Sequence, residues 1–280
     1  MAEPRILLDG LTFPEGPRWR DGRLWFSDFY NHRVIAVGLD GVAETIVRVE
    51  KIPSGLGWLP DGTLLIVSMN DHKILRFANG TLTQHADLSA FAGGPCNDMV
   101  VDSLGRAYVG NFGYNRFNDE PARPAVLVRA DPDGTVVAAA DDMLFPNGSV
   151  ITPDGKTLIV GETMGTRLSA FDIAADGSLS NRRIWAAAPD LFPDGICLDA
   201  EGAIWVADPR GNRVVRVLEG GRIARTIALP GRNAYACMLG GADKKTLFIC
   251  TAPGSGPTRA GQTDGKIEVI EVDVPGAGLP

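Results

Sequence analysis

A short segment with one plan recurs along the chain: a proline, an oxygen-bearing side chain, then a glycine. It stands at Pro14-Glu15-Gly16, Pro53-Ser54-Gly55, Pro146-Asn147-Gly148 and Pro193-Asp194-Gly195. A variant falls at Pro95-Cys96-Asn97-Asp98, and a weaker copy at Asn233-Ala234-Tyr235-Ala236. Proline fixes the approach of the chain, and glycine lets its backbone crowd a neighbour. The copies begin at 14, 53, 95, 146, 193 and 233, so the steps are 39, 42, 51, 47 and 40 residues. That period matches a four-stranded blade of a propeller.

Each unit has the same internal order. After the marker and a short run comes a tight turn, as at Asp21-Gly22, Asp61-Gly62, Asp154-Gly155 and Glu201-Gly202. An apolar run follows, such as Leu24-Trp25-Phe26 or Ile204-Trp205-Val206, then an alternating one, such as Arg33-Val34-Ile35-Ala36-Val37. A more polar run closes the unit. Asp-Gly turns between such runs signal hairpins, and no window favours the helical period. A β-sandwich is the structural rival, but its turns recur every ~8–12 residues, far from a repeat this long. Six units predict an all-β fold, a single six-bladed β-propeller over residues 1–280. The stray run Arg5-Ile6-Leu7-Leu8 is predicted to complete the last blade, pinning the two chain ends together and leaving only short, protected sheet edges.

The formal net charge is −7, with no Lys/Arg block, which argues against a nucleic-acid partner. No apolar run approaches the ~18 residues that span a bilayer, so no membrane partner is expected. Met1-Ala2-Glu3-Pro4-Arg5 lacks the apolar stretch of a signal peptide, and a cytoplasmic protein, monomeric or a small homo-oligomer, is expected. The four cysteines form no C-x-x-C pair and are expected to be buried free thiols. Cys96 lies beside a candidate site residue, but none of the three histidines sits where it would serve as its base.

In a blade the first strand is innermost, so all markers reach one end of the central channel. The second strand runs back, and its last residue returns to that end. The first ring then holds Glu15, Ser54, Asn97 or Asp98, Asn147, Asp194 and Ala234. The second holds Ser27-Asp28, Ser68-Met69, Asn111, Glu162, Asp208 and Thr251. The first ring offers two carboxylates (Glu15, Asp194) and two carboxamides (Asn97, Asn147). Oxygen donors without His or Cys suit a hard cation, and two negative charges balance one divalent ion. Any single copy would be read as a turn; repetition at one register makes a site. Asn111 and Glu162 are candidates for orienting a substrate. Met69 and Phe112, with Tyr114, Phe117, Phe145 and Phe192, are candidates for lining the mouth. Asp28 and Asp208, each followed by an Asn and then Arg-Val, are assigned to turns. The insertion at 111–124 is either a lid or a solvated loop, and the composition of 253–264 reads as flexible.

Glu15-Gly16-Pro17-x-Trp19, Leu24-Trp25-Phe26-Ser27-Asp28, Asn97-Asp98, Pro146-Asn147-Gly148-Ser149, Pro153-Asp154-Gly155-Lys156-Thr157-Leu158 and Pro193-Asp194-Gly195 come in an order that resembles the senescence-marker-protein/regucalcin/gluconolactonase family. The resemblance covers nearly the whole chain. It implies a six-bladed propeller with one catalytic divalent cation, calcium first, with Mg, Mn, Fe or Zn as the other candidates. By that resemblance Glu15, Asn147 and Asp194 match metal ligands, Asn97 matches a residue that binds metal or substrate, and Asp194 also matches the general base. The sequence departs from the family at Pro95, where its sugar lactonases usually carry an arginine against substrate hydroxyls. A more apolar lactone or ester is therefore expected as the small-molecule partner. The reading is a metal-dependent hydrolase of a lactone or related ester. Its alternatives are a non-catalytic binding module with a structural calcium, and a synthase or isomerase using the same pocket.

Overall fold

Alternating apolar runs joined by tight turns fold here as antiparallel strands, in a computed structural model that describes residues 3–278. They form six sheets of four strands, each sheet joining consecutive strands edge to edge except the sixth. The innermost strands are Pro14–Arg20, Pro53–Trp58, Cys96–Val101, Pro146–Ile151, Ile196–Leu198 and Asn233–Gly240, one at each marker or just after it. Each packs on the innermost strands of both neighbouring blades, and Asn233–Gly240 packs on Pro14–Arg20, so the ring closes. The fold is the expected six-bladed β-propeller. In the sixth blade the outer strand is Arg5–Leu11, with Arg5 opposite Val269 and Leu11 opposite Gly265. The stray run does complete that blade, and it continues three residues beyond Leu8.

Burial follows position in the blade. Second strands such as Leu64–Ser68 and Ile204–Asp208 are buried throughout, while the outer strand Ala43–Arg48 is mostly exposed. The core lies between blades, where side chains such as Leu24, Phe26, Trp205 and Phe248 are wholly enclosed. Each such side chain removed from water contributes about 1.5–3 kcal/mol. All four cysteines are buried free thiols, as expected, and Cys197 Sγ lies 3.9 Å from Cys237 Sγ. Among the described residues helix is confined to four short turns, Phe29–Asn31, Arg116–Asn118, Thr163–Gly165 and Pro257–Arg259. Each falls between the second and third strands of a blade. None is long and apolar enough to cross a membrane.

The feature that positions the site is a repeated irregularity. In blades one, two, three, four and six the ladder between first and second strands slips just after the marker. The slips fall between Glu15 and Arg18, Pro53 and Leu56, Cys96 and Met99, Pro146 and Ser149, and Ala234 and Ala236. A bulge re-aims side chains that a regular strand would hold above and below the sheet. In blade five the strand starts only at Ile196, and Asp194 and Gly195 instead bond to Ala207. The glycines are needed because the inner strands touch there. A Cβ on Gly148 would lie 2.5 Å from Ile196 N, and one on Gly195 would lie 2.4 Å from Ala236 Cβ.

Candidate active site

The bulges turn Glu15, Asn97 and Asn147, with Asp194 of blade five, toward one cavity of about 210 Å³ at one mouth of the channel. Glu15, Asn97 and Asn147 are buried, and Asp194 keeps a partly open face. Asn147 Nδ2 donates to Thr163 Oγ1 (3.2 Å), and that hydroxyl donates to Pro193 O (2.6 Å), tying the marker of blade four to that of blade five. Asn97 Oδ1 accepts from Ser54 Oγ at 3.5 Å, so Ser54 of blade two supports the floor without itself lining the cavity.

The sequence left Asn97 and Asp98 as alternatives, and the bulge separates them. Asn97 lines the cavity, whereas Asp98 turns to Arg18, with 2.8 Å between Asp98 Oδ1 and Arg18 Nη2, and accepts from Met99 N–H at 2.9 Å. Burial pushes the Asp98 carboxyl up despite that pairing.

Burial, and next the charge of Asp194, push the Glu15 carboxyl well above the usual carboxylate range. Burial is also the chief reason that Asp194 is raised to about 8, against a bond from Asn147 and the charge of Arg116, which lower it. Two acids in a poorly hydrated floor disfavour each other's ionised forms. A divalent cation removes that penalty, and the remaining donors are carboxamide oxygens, so the residues present fit a hard divalent ion. Among the described residues no group of three or more His, Cys, Asp or Glu is arranged to hold a metal. A set of two carboxylates and two carboxamides lies outside that pattern.

Met69 and Phe112 line the cavity, as do Phe117, Phe145 and Phe192. Phe145, in a left-handed conformation (φ 62°), stacks on Phe112 with ring centroids 4.3 Å apart. Tyr114 is buried but does not line the cavity.

Asn111 and Glu162 also fall outside the cavity. Asn111 Nδ2 donates to Val126 O at 2.7 Å, and its Oδ1 accepts from Gly113 N–H at 2.9 Å. Glu162 accepts from Arg167, Arg182, Ser169 and the Leu144 N–H. Burial alone would raise its carboxyl, but those donors outweigh it and hold the group below its ordinary range. The signal was in the spacing: Asp28, Glu162 and Asp208 each end a second strand and pair with the arginine five residues on, Arg33, Arg167 and Arg213. Asp208 also accepts from the Gly211 N–H three residues on, in keeping with the turn role expected for it, whereas Asp28 accepts from the distant Thr12 and Phe13 N–H groups and does not cap the turn that follows it.

The residues that do line the mouth lie one or two positions further along, where the chain has left the sheet: Tyr30, Met69, Phe112, Thr163 and Arg210. Sequence reasoning missed Tyr30, Thr163 and Arg210, although a shift of one or two residues from each strand end would have found them. Arg116 and Tyr235 were missed as well. Burial pushes the Tyr30 and Tyr235 hydroxyls up to about 12, so both remain donors near neutrality. The 111–124 segment brings Arg116 and Phe117 to the cavity wall. In the 253–264 segment, expected to be flexible, Arg259 is buried and pairs with Asp264, and Ser255 and Gly256 line the cavity.

Known proteins are similar to this chain along most of its length. Regucalcin of Danio rerio is 31% identical over 244 residues, covering 85% of this chain and 82% of its own. Pentonolactonase XacC of Haloferax volcanii is 25% identical over 292 residues, covering 100% of this chain and 97% of its own. The structure of a gluconolactonase from Xanthomonas campestris superposes with a TM-score of 0.76 at 25% identity, covering 100% of this chain and 96% of that one. The family model of the SMP-30/gluconolactonase/LRE-like region matches residues 13–253, from the first marker through the last second strand, and the chain belongs to that family.

Proposed function

We propose that the protein is a divalent-metal-dependent hydrolase of a lactone or related ester, with Asp194 as general base. The observation that carries this reading is the convergence of two carboxylates and two carboxamides from four blades on one aromatic-walled cavity. Glu15, Asn147 and Asp194 would hold the ion, with Asn97 beside them facing ion or substrate, and calcium is the cation we favour for such donors. A bound divalent ion supplies a Lewis acid that polarises a carbonyl oxygen and lowers the pKa of water.

The chain's own groups do the rest. Asp194 offers an oxygen to the proton of an attacking water, and a cation beside it would offset the burial that raises its carboxyl and so keep it ionised for that role. The bond from Asn147 to Thr163, and from Thr163 to Pro193 O, holds the neighbouring carboxamide in register with that carboxylate. Phe112 and Phe145 present a stacked apolar wall that excludes water from the acyl group. That wall, and Pro95 in place of an arginine, support an apolar lactone rather than a polyhydroxy one. The lactonase names borne by the pentonolactonase and gluconolactonase relatives support the reaction class.

The test is to strip the protein with chelator, titrate divalent ions and assay a panel of lactones and esters. Turnover should depend on metal and fall at least ~10²-fold in D194N at saturating ion. Metal-independent turnover, no turnover on any ester, or full activity in D194N would overturn the proposal.

A further inference from the structure

The floor of the cavity is acidic, yet two arginines stand at its rim. Arg116 projects from the loop after the second strand of blade three, and Arg210 from the corresponding loop of blade five. The two loops therefore flank the mouth of blade four, where Asn147 and Thr163 sit. Two acids close to them in the chain are already taken up: Glu120 pairs with Arg123, and Asp208 with Arg213. Among the described residues neither Arg116 nor Arg210 has a carboxylate within ion-pair distance, whereas Arg33, Arg167, Arg213 and Arg216 all do.

Both are also fixed in place. The Arg210 guanidinium lies 4.0 Å from the centroid of the Phe192 ring, a cavity-wall residue. Stacking of this kind orients the guanidinium plane and leaves its edge N–H groups free for a partner. Arg116 begins the short turn Arg116–Asn118, which Asn115 caps by accepting from Phe117 N–H at 3.1 Å. Phe117 in turn meets Phe112 edge to face. The Arg116 guanidinium carbon lies 5.1 Å from the centroid of that Phe117 ring, so this arginine too rests on an aromatic residue of the cavity wall.

An arginine edge matches a planar oxyanion. The molecule as a whole carries a net charge of −7, so two arginines without a carboxylate partner at this mouth depart locally from its overall charge. Resting on the hydrolase reading above, we propose that the substrate is a lactone or ester with an apolar body and a distal carboxylate. Its acyl group meets the Glu15–Asp194 floor, its body lies along Phe112 and Phe145, and its carboxylate is held by Arg116 and Arg210.

The experiment compares matched lactones with and without a side-chain carboxylate, on the metal-loaded protein and on R116M, R210M, R210K and the R116M/R210M double variant. The corresponding lactams, which resist hydrolysis, are titrated by calorimetry in parallel. A carboxylate preference of about ten- to a hundredfold in kcat/KM is expected, expressed mainly in KM and shrinking as salt is added. The preference should fall to near one in the double variant, with R210K in between because it keeps charge but loses the stacked fork. Melting temperatures within about 2 °C of the native protein show that these exposed changes leave the fold intact. Arg-dependent binding of the carboxylate lactam without turnover of any lactone would sink the hydrolase reading while leaving the rim assignment standing. Equal use of both lactones, equal binding of both lactams, or a preference that survives in the double variant would overturn the inference. A phosphonate analogue preferred over the carboxylate would likewise overturn the choice of anion.

Discussion

Exchanging Asp194 for asparagine probes the charge balance of the floor directly. In the native protein the Asp194 carboxyl is raised from 3.8 to about 8, chiefly by burial, and Glu15 is raised beside it. A native carboxyl that titrates above its unfolded counterpart holds a proton that the unfolded chain has already released. Metal-free stability therefore falls as pH rises between about 4 and 8. At about 1.4 kcal/mol per tenfold, ionising a carboxyl raised from 3.8 to about 8 costs at most roughly 6 kcal/mol, most of it already felt at pH 8. Water reaching the partly open face of Asp194 lowers this to about 2 kcal/mol. The asparagine cannot ionise, so in chelator at pH 8 D194N should melt higher than the native protein by roughly 4 °C, at about 2 °C per kcal/mol. The gap should close as pH is lowered toward 4. Adding calcium should reverse the order, because the native floor gains more from a cation than the variant does. Calorimetric melts across pH, with and without calcium, measure all of this. A variant no more stable than the native protein in chelator at pH 8, or a gap that ignores pH, would refute the reasoning.

Two other substitutions or treatments separate structural groups from the cavity. E162Q leaves Arg167 and Arg182 without their carboxylate, and should cost about 2–3 kcal/mol in urea unfolding. That is less than the loss of a fully buried pair, because the two arginine side chains keep 28% and 31% exposure. The same variant should leave the affinity for divalent ions unchanged, since Glu162 faces away from the cavity. Burial pushes the Cys96, Cys237 and Cys250 thiols far up, so in the folded protein they should resist iodoacetamide at pH 8 and react only on denaturation.

The sequence carried the fold because the repeat was written twice, in the markers and in the order of runs after each one. It carried the floor for a different reason. Glu15, Asn97, Asn147 and Asp194 occupy one register of a repeat, so one positional argument placed all four. The rim was harder to read. Second strands end on residues whose side chains point across to the third strand, where arginines hold Asp28, Glu162 and Asp208. Glu162 looked able to orient a substrate, but its direction is set by strand alternation, as it is for the two aspartates assigned to turns. Arg116 stands in an insertion outside the repeat, and Tyr235 takes the glycine position of the weakest marker, in the innermost strand of blade six, so only the folded chain shows where their side chains go.

The pairing of Arg5 with Val269 has a consequence for biosynthesis. The two positions are 264 residues apart (269 − 5), so a ribosome making about 5–20 residues per second leaves the earlier strand without its partner for about 13–53 s. During that wait the strand is a modest hazard, since most of its side chains are exposed or half-buried even in the finished ring. The greater exposure is at the other side, where Gly265–Glu271 offers a bare hydrogen-bonding edge until Arg5–Leu11 arrives. A bulky fusion ahead of Arg5 that slowed its arrival should therefore show itself as aggregation of newly made chains, well before it altered the melting point of those that had closed.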